Sequence, residues 1–173
     1  MEAYRVEPVA RRHRRGEFDC GQDDLNRFIR EHATQWARRD LAQTYVMVDR
    51  DDPDRIVGYY SLSVTRLDGV DVQGLPRSIE IGAVLLGRLA VDRRRQHQGI
   101  GYLLLEDAFN RVLESRERFG IFAMVVDAID EAAAGYYERF GFTPFPNDPH
   151  RLFYPLKDYV AVRIAERRGT MNP

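Results

Sequence analysis

The stretch Asp92-Arg93-Arg94-Arg95-Gln96-His97-Gln98-Gly99-Ile100-Gly101 sets two glycines, one residue apart, in front of an apolar-periodic segment. The first turn of a helix leaves about four N–H groups without internal partners, and the helix dipole adds positive potential there. Gly99 and Gly101 carry no side chains, so an anion can approach the backbone closely. This is a diphosphate-binding device. Spacing narrows the ligand. A Gly-x-x-x-x-Gly-Lys-Ser/Thr phosphate loop has no match. The Gly-x-Gly-x-x-Gly dinucleotide fingerprint fails because Tyr102-Leu103-Leu104 follows Gly101. Tyr136 and Tyr137 read by residue type as core aromatics on a short helix, and chain geometry alone does not separate the two. His13, His32, His97 and His150 are too scattered for metal-ligand spacing, so no metal is expected. Cys20 has no visible His partner and reads as a small core residue.

These residues must be held by strands and helices. Tyr4 to Val9 alternates as a strand, and Arg11-Arg12-His13-Arg14-Arg15 follows as a compact basic loop. Asp23 to Arg39 reads as a helix. Leu25, Phe28, Ile29, His32 and Trp36 form its buried face, and Arg27, Arg30, Thr34 and Arg38 the opposite one. Residues 44–48 and 55–64 read as a hairpin around the polar turn 49–54. Residues 66–78, with Gly69, Gly74 and Pro76, read as a loop. Ile79 to Val91 is a long apolar strand, and Gly82 and Gly87 inside it suggest a bulge or a close backbone approach. The helix after the glycine loop runs from about Gly99 to Arg118, with Ile100, Leu104, Ala108 and Val112 on one stripe and Gly120 as its stop. The apolar run 121–126 fits a strand covered on both faces. Helix 131–140, strand 152–156 and a terminal helix 158–168 complete the order.

Composition bounds the class. The chain has 173 residues, 26 Lys+Arg against 27 Asp+Glu, and a formal charge of −1. The hydrophobic fraction of 44% and the charged fraction of 31% fit a globular domain rather than a disordered chain. The expectation is one domain, 1–173, with 158–173 as a C-terminal helix and tail. One cysteine excludes an internal disulfide framework, and no run approaches the ~20 apolar residues of a membrane span. With no signal-like N-terminus, the cytoplasm is the expected compartment. The near-neutral total excludes wholesale coating by nucleic acid but leaves room for a local basic patch. The basic residues are 25 Arg and a single Lys, Lys157, a protein-wide bias that picks out no site.

Leu89-Ala90-Val91-Asp92, then Gln96-x-x-Gly99-x-Gly101 and a Leu-rich helix, resembles the acetyl-CoA site of the GNAT N-acetyltransferases. Ala134-Gly135-Tyr136-Tyr137-Glu138-Arg139-Phe140-Gly141-Phe142 resembles that family's second signature, a tyrosine-bearing helix ending in Gly-Phe. Phe18-Asp19-Cys20-Gly21, Leu25 to Ile29, Thr44-Tyr45-Val46 and Gly87 to Asp92 are similar to one GNAT branch, the toxins of type II toxin–antitoxin pairs. The likeness covers about residues 3–157.

The resemblance implies an α/β (mixed α+β) fold. Its central sheet would be mostly antiparallel, with six or seven strands and helices on both faces. Two parallel strands, near 83–91 and 121–126, would splay to admit the cofactor. It implies acetyl-CoA as co-substrate. Leu89, Ala90 and Val91 would lie along the pantetheine arm, and Gln96, His97, Gln98, Gly99, Ile100 and Gly101 would wrap the diphosphate. Tyr137 would protonate the leaving thiolate. Glu80, or water, is a candidate base. The implied substrate is the α-amine of aminoacyl-tRNA, whose acetylation blocks translation. The implied partner is a ribbon-helix-helix antitoxin, the toxin itself being a monomer or a homodimer. Arg27, Arg30, Arg38 and Arg94 are then either tRNA phosphate contacts or solvated charges. Two other functions stay open: a GNAT enzyme acting on a small amine or a protein N-terminus, and a non-catalytic acetyl-CoA-binding regulatory module.

Overall fold

The computed structural model describes residues 3–68, 72 and 78–169, with side chains up to 166. Seven strands form one mixed sheet in the order β1-β2-β3-β4-β5-β7-β6. They are β1 (Tyr4–Pro8), β2 (Gln43–Asp49), β3 (Ile56–Asp68), β4 (Glu80–Val91), β5 (Ala123–Asp127), β6 (Thr143–Phe145) and β7 (Asp148–Pro155). The chain divides into two compact units, Met1–Ser63 with Leu86–Asn110, and Val64–Leu85 with Arg111–Pro173, so β3 and β4 run through both.

In the first unit β1 pairs antiparallel with β2, and β2 with β3, with an irregularity between Met47 and Val48. The first six residues of β3 are all buried, so this half of the expected hairpin strand is covered on both faces. One face meets the helical segment after Cys20. Phe18, Phe28, Ile29, Ala33, Val46, Val48, Ile56, Tyr59 and Ala90 share a core there, with Leu25 and Trp36 packed at its margin. The Tyr59 hydroxyl donates to the Leu25 carbonyl at 2.8 Å, so a fully buried aromatic keeps a polar partner.

That helical segment departs from the regular helix that the spacing predicts. It consists of α1 (Asp23–Arg27), a π turn (Phe28–His32) and α2 (Ala33–Arg38). The wider turn inserts one residue and rotates everything beyond it. Ala33 therefore takes the core position expected for His32, whose side chain is 45% exposed. Arg27, Arg30 and Arg38 no longer form one straight stripe, for the same reason.

In the second unit β5 pairs antiparallel with β7, and β7 with β6. Leu67, Ile81, Ala83, Ala123, Val125 and Phe145 form its core. The expected loop 66–78 is strand at its start, because β3 continues to Asp68. Gly69, Gly74 and Pro76 lie outside the described residues. The three-residue β6 is too short to show alternation and contains Pro144, which the edge position tolerates because no further strand needs its missing N–H. Gly82 does mark a close approach: a Cβ there would lie 3.1 Å from the Gly120 carbonyl oxygen.

Helix α3 (Ile100–Phe119) links β4 to β5. Its predicted stripe is buried, with Ile100, Leu104, Ala108 and Val112 each at 3% exposure or less. Gly120 ends it at φ +65°. Helix α4 (Glu131–Phe140) is capped by Asp130, whose carboxylate accepts the Ala133 N–H at 2.8 Å, and ends at Gly141. Helix α5 (Leu156–Gly169) closes the described chain. No helix among the described residues is long and apolar enough to cross a membrane.

Gly141 sits at φ +121°, and a Cβ there would lie 2.7 Å from Tyr154 Cε1. Gly141→Ala combines left-handed backbone strain with overpacking, so it should lower unfolding free energy by about 2–4 kcal/mol. Urea denaturation of both proteins measures it.

Candidate functional site

β4 delivers its end into the glycine loop through Asp92, which is 1% exposed. A carboxylate taken out of water must be matched by donors. Arg94 supplies a fork, Nε to Oδ1 at 2.8 Å and Nη2 to Oδ2 at 2.9 Å. The Arg94 N–H adds 3.0 Å to Oδ1, and the Asp19 N–H reaches Oδ2 at 3.4 Å. Burial pushes the Asp92 carboxyl upward, but these donors together outweigh it and hold it below the usual carboxylate range. The Asp92 N–H donates to the Val57 carbonyl at 3.0 Å, which ties the loop to β3.

The remaining arginines of the run are also held. Arg93 Nε lies 3.2 Å from Asp19 Oδ2, and Arg95 Nη2 lies 3.2 Å from Asp49 Oδ2. Three consecutive guanidiniums thus meet three different carboxylates, and the run orients the loop. Gln96 completes the frame. Its Nε2 donates to the carbonyls of Cys20 and Val91, both at 3.0 Å. The Val91 carbonyl is therefore engaged by the loop itself.

Beyond Gln96 the backbone turns through two left-handed residues, His97 at φ +61° and Gly99 at φ +77°. Nothing lies within 4 Å of a Cβ built at Gly99. The Leu103 N–H donates to the Gly99 carbonyl at 3.2 Å and closes the first turn of α3. The amides of 99–102 come before that bond, at the positive end of a 20-residue helix. A rigid, open, amide-lined turn fits a diphosphate.

In the second unit α4 carries both tyrosines. Tyr137 is 9% exposed and packs edge-on against Tyr136 and Phe142, each at 5.5 Å between ring centroids. Burial, then the neighbouring Tyr136, pushes its phenol upward, so it keeps its proton. Burial also raises Tyr136, whose hydroxyl is buried with no hydrogen-bond partner among the described residues. Glu80 is an exposed carboxylate paired with Arg66 at 2.7 Å, a surface ion pair rather than a group in a cleft.

The other sequence candidates are dispersed. Arg27 is exposed and pairs with Asp24 at 3.0 Å, Arg30 donates to the Phe18 carbonyl at 2.6 Å, and Arg38 is exposed at the end of α2. In the basic loop Arg12 pairs with Glu7 and with Asp54, and Arg14 with Glu17 and Asp52. His13 is buried inside that loop. Its Nδ1 accepts the Ala10 N–H at 2.9 Å, and its Nε2 lies 2.8 Å from Glu7 Oε1. Cys20 is a core thiol whose Sγ lies 3.2 Å from Asn26 Oδ1, and burial raises its pKa. Among the described residues no group of three His, Cys, Asp or Glu side chains is placed to hold a metal.

Sequence reasoning missed the carboxylates that fasten the loop, Asp19, Asp49 and Asp92. Only the Asp92-x-Arg94 spacing carried a local signal, that of a side chain capping the turn after it. It also missed Arg88, which lies on β4 over the rings of Phe28 and Trp36.

Residues 40–144 match the family described as an acetyltransferase (GNAT) domain. A tRNA-acetylating toxin of Mycobacterium tuberculosis is 32% identical over 148 residues, covering 84% of this chain and 87% of that protein. The structure of AtaT complexed with acetyl-methionyl-tRNAfMet superposes with a TM-score of 0.84 at 28% identity, covering 92% of this chain and 98% of that one. A tyrosine-to-phenylalanine mutant of AtaT, bound to the C-terminus of the antitoxin AtaR and to acetyl-CoA, has a TM-score of 0.79 at 29% identity, covering 90% of this chain and 95% of that one.

Two measurements follow from the geometry. Asp92→Asn turns an amide NH2 toward the Arg94 guanidinium, and should lower unfolding free energy by about 2–4 kcal/mol in urea at pH 7. Burial, and then Arg12, lower His13 to about 4 from its ordinary 6.5. Between those pH values the unfolded chain binds a proton that the folded chain refuses, so stability rises with pH across the window. The contribution is fully present above 6.5 and about 3 kcal/mol smaller near pH 4. His13→Asn keeps an acceptor for the Ala10 N–H and removes the titration. Parallel stability–pH curves for the two proteins would refute the assignment.

Proposed function

Because this chain belongs to the GNAT acetyltransferase family, we propose that it transfers the acetyl group of acetyl-CoA to the α-amine of aminoacyl-tRNA, and so blocks translation as the toxin of a toxin–antitoxin pair. The observation that carries the acceptor is the 32% identity, over 84% of this chain, to a protein named as a tRNA-acetylating toxin. The AtaT complexes with acetyl-methionyl-tRNAfMet and with acetyl-CoA support the same reading. An antitoxin of the ribbon-helix-helix class is the proposed partner, and the cytoplasm, where charged tRNA is found, is the proposed compartment.

Acetyl-CoA supplies an acetyl group already activated as a thioester. The protein then needs to position, exclude water and manage one proton. The amides from Gln96 to Gly101 hold the diphosphate, and Leu89, Ala90 and Val91 offer backbone along the pantetheine arm. The Val91 carbonyl already accepts from Gln96 and keeps one lone pair for a further donor. The amine attacks the thioester carbon directly: an N–C bond forms, the C–S bond breaks, and the nitrogen releases a proton to water. An α-amine with a pKa of about 7.7–8.0 is partly neutral at physiological pH and needs no strong base. Tyr137 gives its proton to the departing sulfur and is reprotonated from solvent. Burial raises the phenol, so the hydroxyl holds a proton in the resting enzyme and gives it up only against the charge that develops on the departing sulfur.

Tyr136 is the second reading for the acid, favoured by its buried hydroxyl, which has no hydrogen-bond partner among the described residues. Incubation with charged tRNA and labelled acetyl-CoA should yield N-acetylated aminoacyl-tRNA, while free amino acids and peptides stay unlabelled. Tyr137→Phe should lower kcat by about 10²-fold or more and leave acetyl-CoA affinity, measured by calorimetry, within about twofold. Tyr136→Phe should retain most activity. The reverse ranking would transfer the role to Tyr136.

A further inference from the structure

Arg88 is the charged residue inside the apolar run Leu85-Leu86-Gly87-Arg88-Leu89-Ala90-Val91 of β4, and it is half-buried. Arginine taken out of solvent ordinarily meets a carboxylate. Arg93, Arg94 and Arg95 each do so a few residues later. Among the described residues Arg88 has no ion pair and no hydrogen bond. Its guanidinium carbon lies 3.8 Å from the centroid of the Phe28 ring and 4.8 Å from that of Trp36. The nearby Tyr59 hydroxyl is already committed to the Leu25 carbonyl at 2.8 Å.

An aromatic ring engages a guanidinium through its face and leaves the N–H donors at its edge for an anion. Those donors form a fork that matches a phosphate or carboxylate in a bidentate way. The aromatic neighbours also hold the side chain in place, so little freedom is left to lose on binding. Side chains alternate along a strand, so Arg88 stands on the face of β4 opposite Leu89. It shares that face with Ala90 and the core built by α1, the π turn and α2.

We propose that Arg88, braced by Phe28 and Trp36, is an anion-binding residue that takes a backbone phosphate of the acceptor RNA near its single-stranded 3′ end. This rests on the acceptor proposed above. Phe28 is buried and Trp36 partly so, so the rings brace the guanidinium and its edge donors are what an RNA phosphate would take. A phosphate of the coenzyme offers the same chemistry. RNA is favoured because the glycine loop already provides for the coenzyme diphosphate, and among the described residues no carboxylate pairs with Arg88.

The test measures RNA binding without acetyl transfer. A fluorescently labelled RNA hairpin ending in single-stranded CCA is titrated by anisotropy over a salt series with the full chain, Arg88→Ala and Arg88→Lys. Acetyl-CoA is titrated into each by calorimetry. Arg88→Ala should weaken hairpin binding roughly tenfold and reduce the slope of log K against log salt by about 1, with acetyl-CoA affinity within about twofold. Arg88→Lys, which keeps the charge and loses the fork, should retain the slope and still bind the hairpin several-fold more weakly. Trp36 is the sole tryptophan, so its emission should respond to the hairpin in the full chain and not in Arg88→Ala. Unchanged hairpin affinity in both variants overturns the proposal, as does acetyl-CoA affinity that falls in step with it, which would give Arg88 to the coenzyme. If Arg88→Ala does not fold, the Lys variant decides. A full chain that binds the hairpin through Arg88 but fails to acetylate charged tRNA leaves this inference standing and removes the acceptor reading.

Discussion

Asp92 carries a charge into a place where water does not reach, and the structure around the glycine loop is the answer to that problem. Its two oxygens take the Arg94 fork and two backbone N–H groups. Each donor comes from a segment that must be where it is for the carboxylate to be satisfied. Arg94 therefore folds back over the turn, residue 19 is drawn against the end of β4, and the loop cannot drift from β3, to which the Asp92 amide is bonded. Gln96 repeats the principle with neutral groups, joining the Cys20 and Val91 carbonyls. A loop held from both sides can present a turn of backbone amides without reorganising when an anion arrives, and preorganisation of that kind is what makes helix-start anion sites effective.

The same accounting bears on how a chain with a formal charge of −1 could meet the polyanionic substrate proposed for it. Most arginines singled out by their clustering are committed to carboxylates, at the basic loop and at the run 93–95 alike. Clustering in sequence therefore says little about where positive charge is available. An arginine set among aromatic rings keeps its charge and its edge donors, and a single residue of that sort can matter more to an anion than five that are already paired.

Much of the architecture was legible because it rests on local rules. The period of Ile100, Leu104, Ala108 and Val112 set the buried side of α3, and Gly120 and Gly141 ended helices where left-handed backbone was needed. The failures share one physical origin, long-range packing. The π turn at Phe28–His32 serves the fit of Phe28, Ile29 and Ala33 into a core shared with β3, and nothing in the spacing of residues 23–39 encodes the extra residue. The short β6 exists because β7 offers it an edge, and β3 runs past Thr65 to Asp68, where Leu67 joins a core with Phe145 far along the chain.

Residue type and spacing alone determined the family resemblance, the amide turn with its two glycines and the tyrosine pair ahead of Gly141-Phe142, since each depends on neighbours a few positions apart. Which arginines are neutralised, which hydroxyl lacks a partner, and that Arg88 lies across Phe28 and Trp36 were decided by the tertiary structure. Those properties belong to pairs of groups separated by tens of residues. Their energies depend on burial and distance, which no local pattern carries.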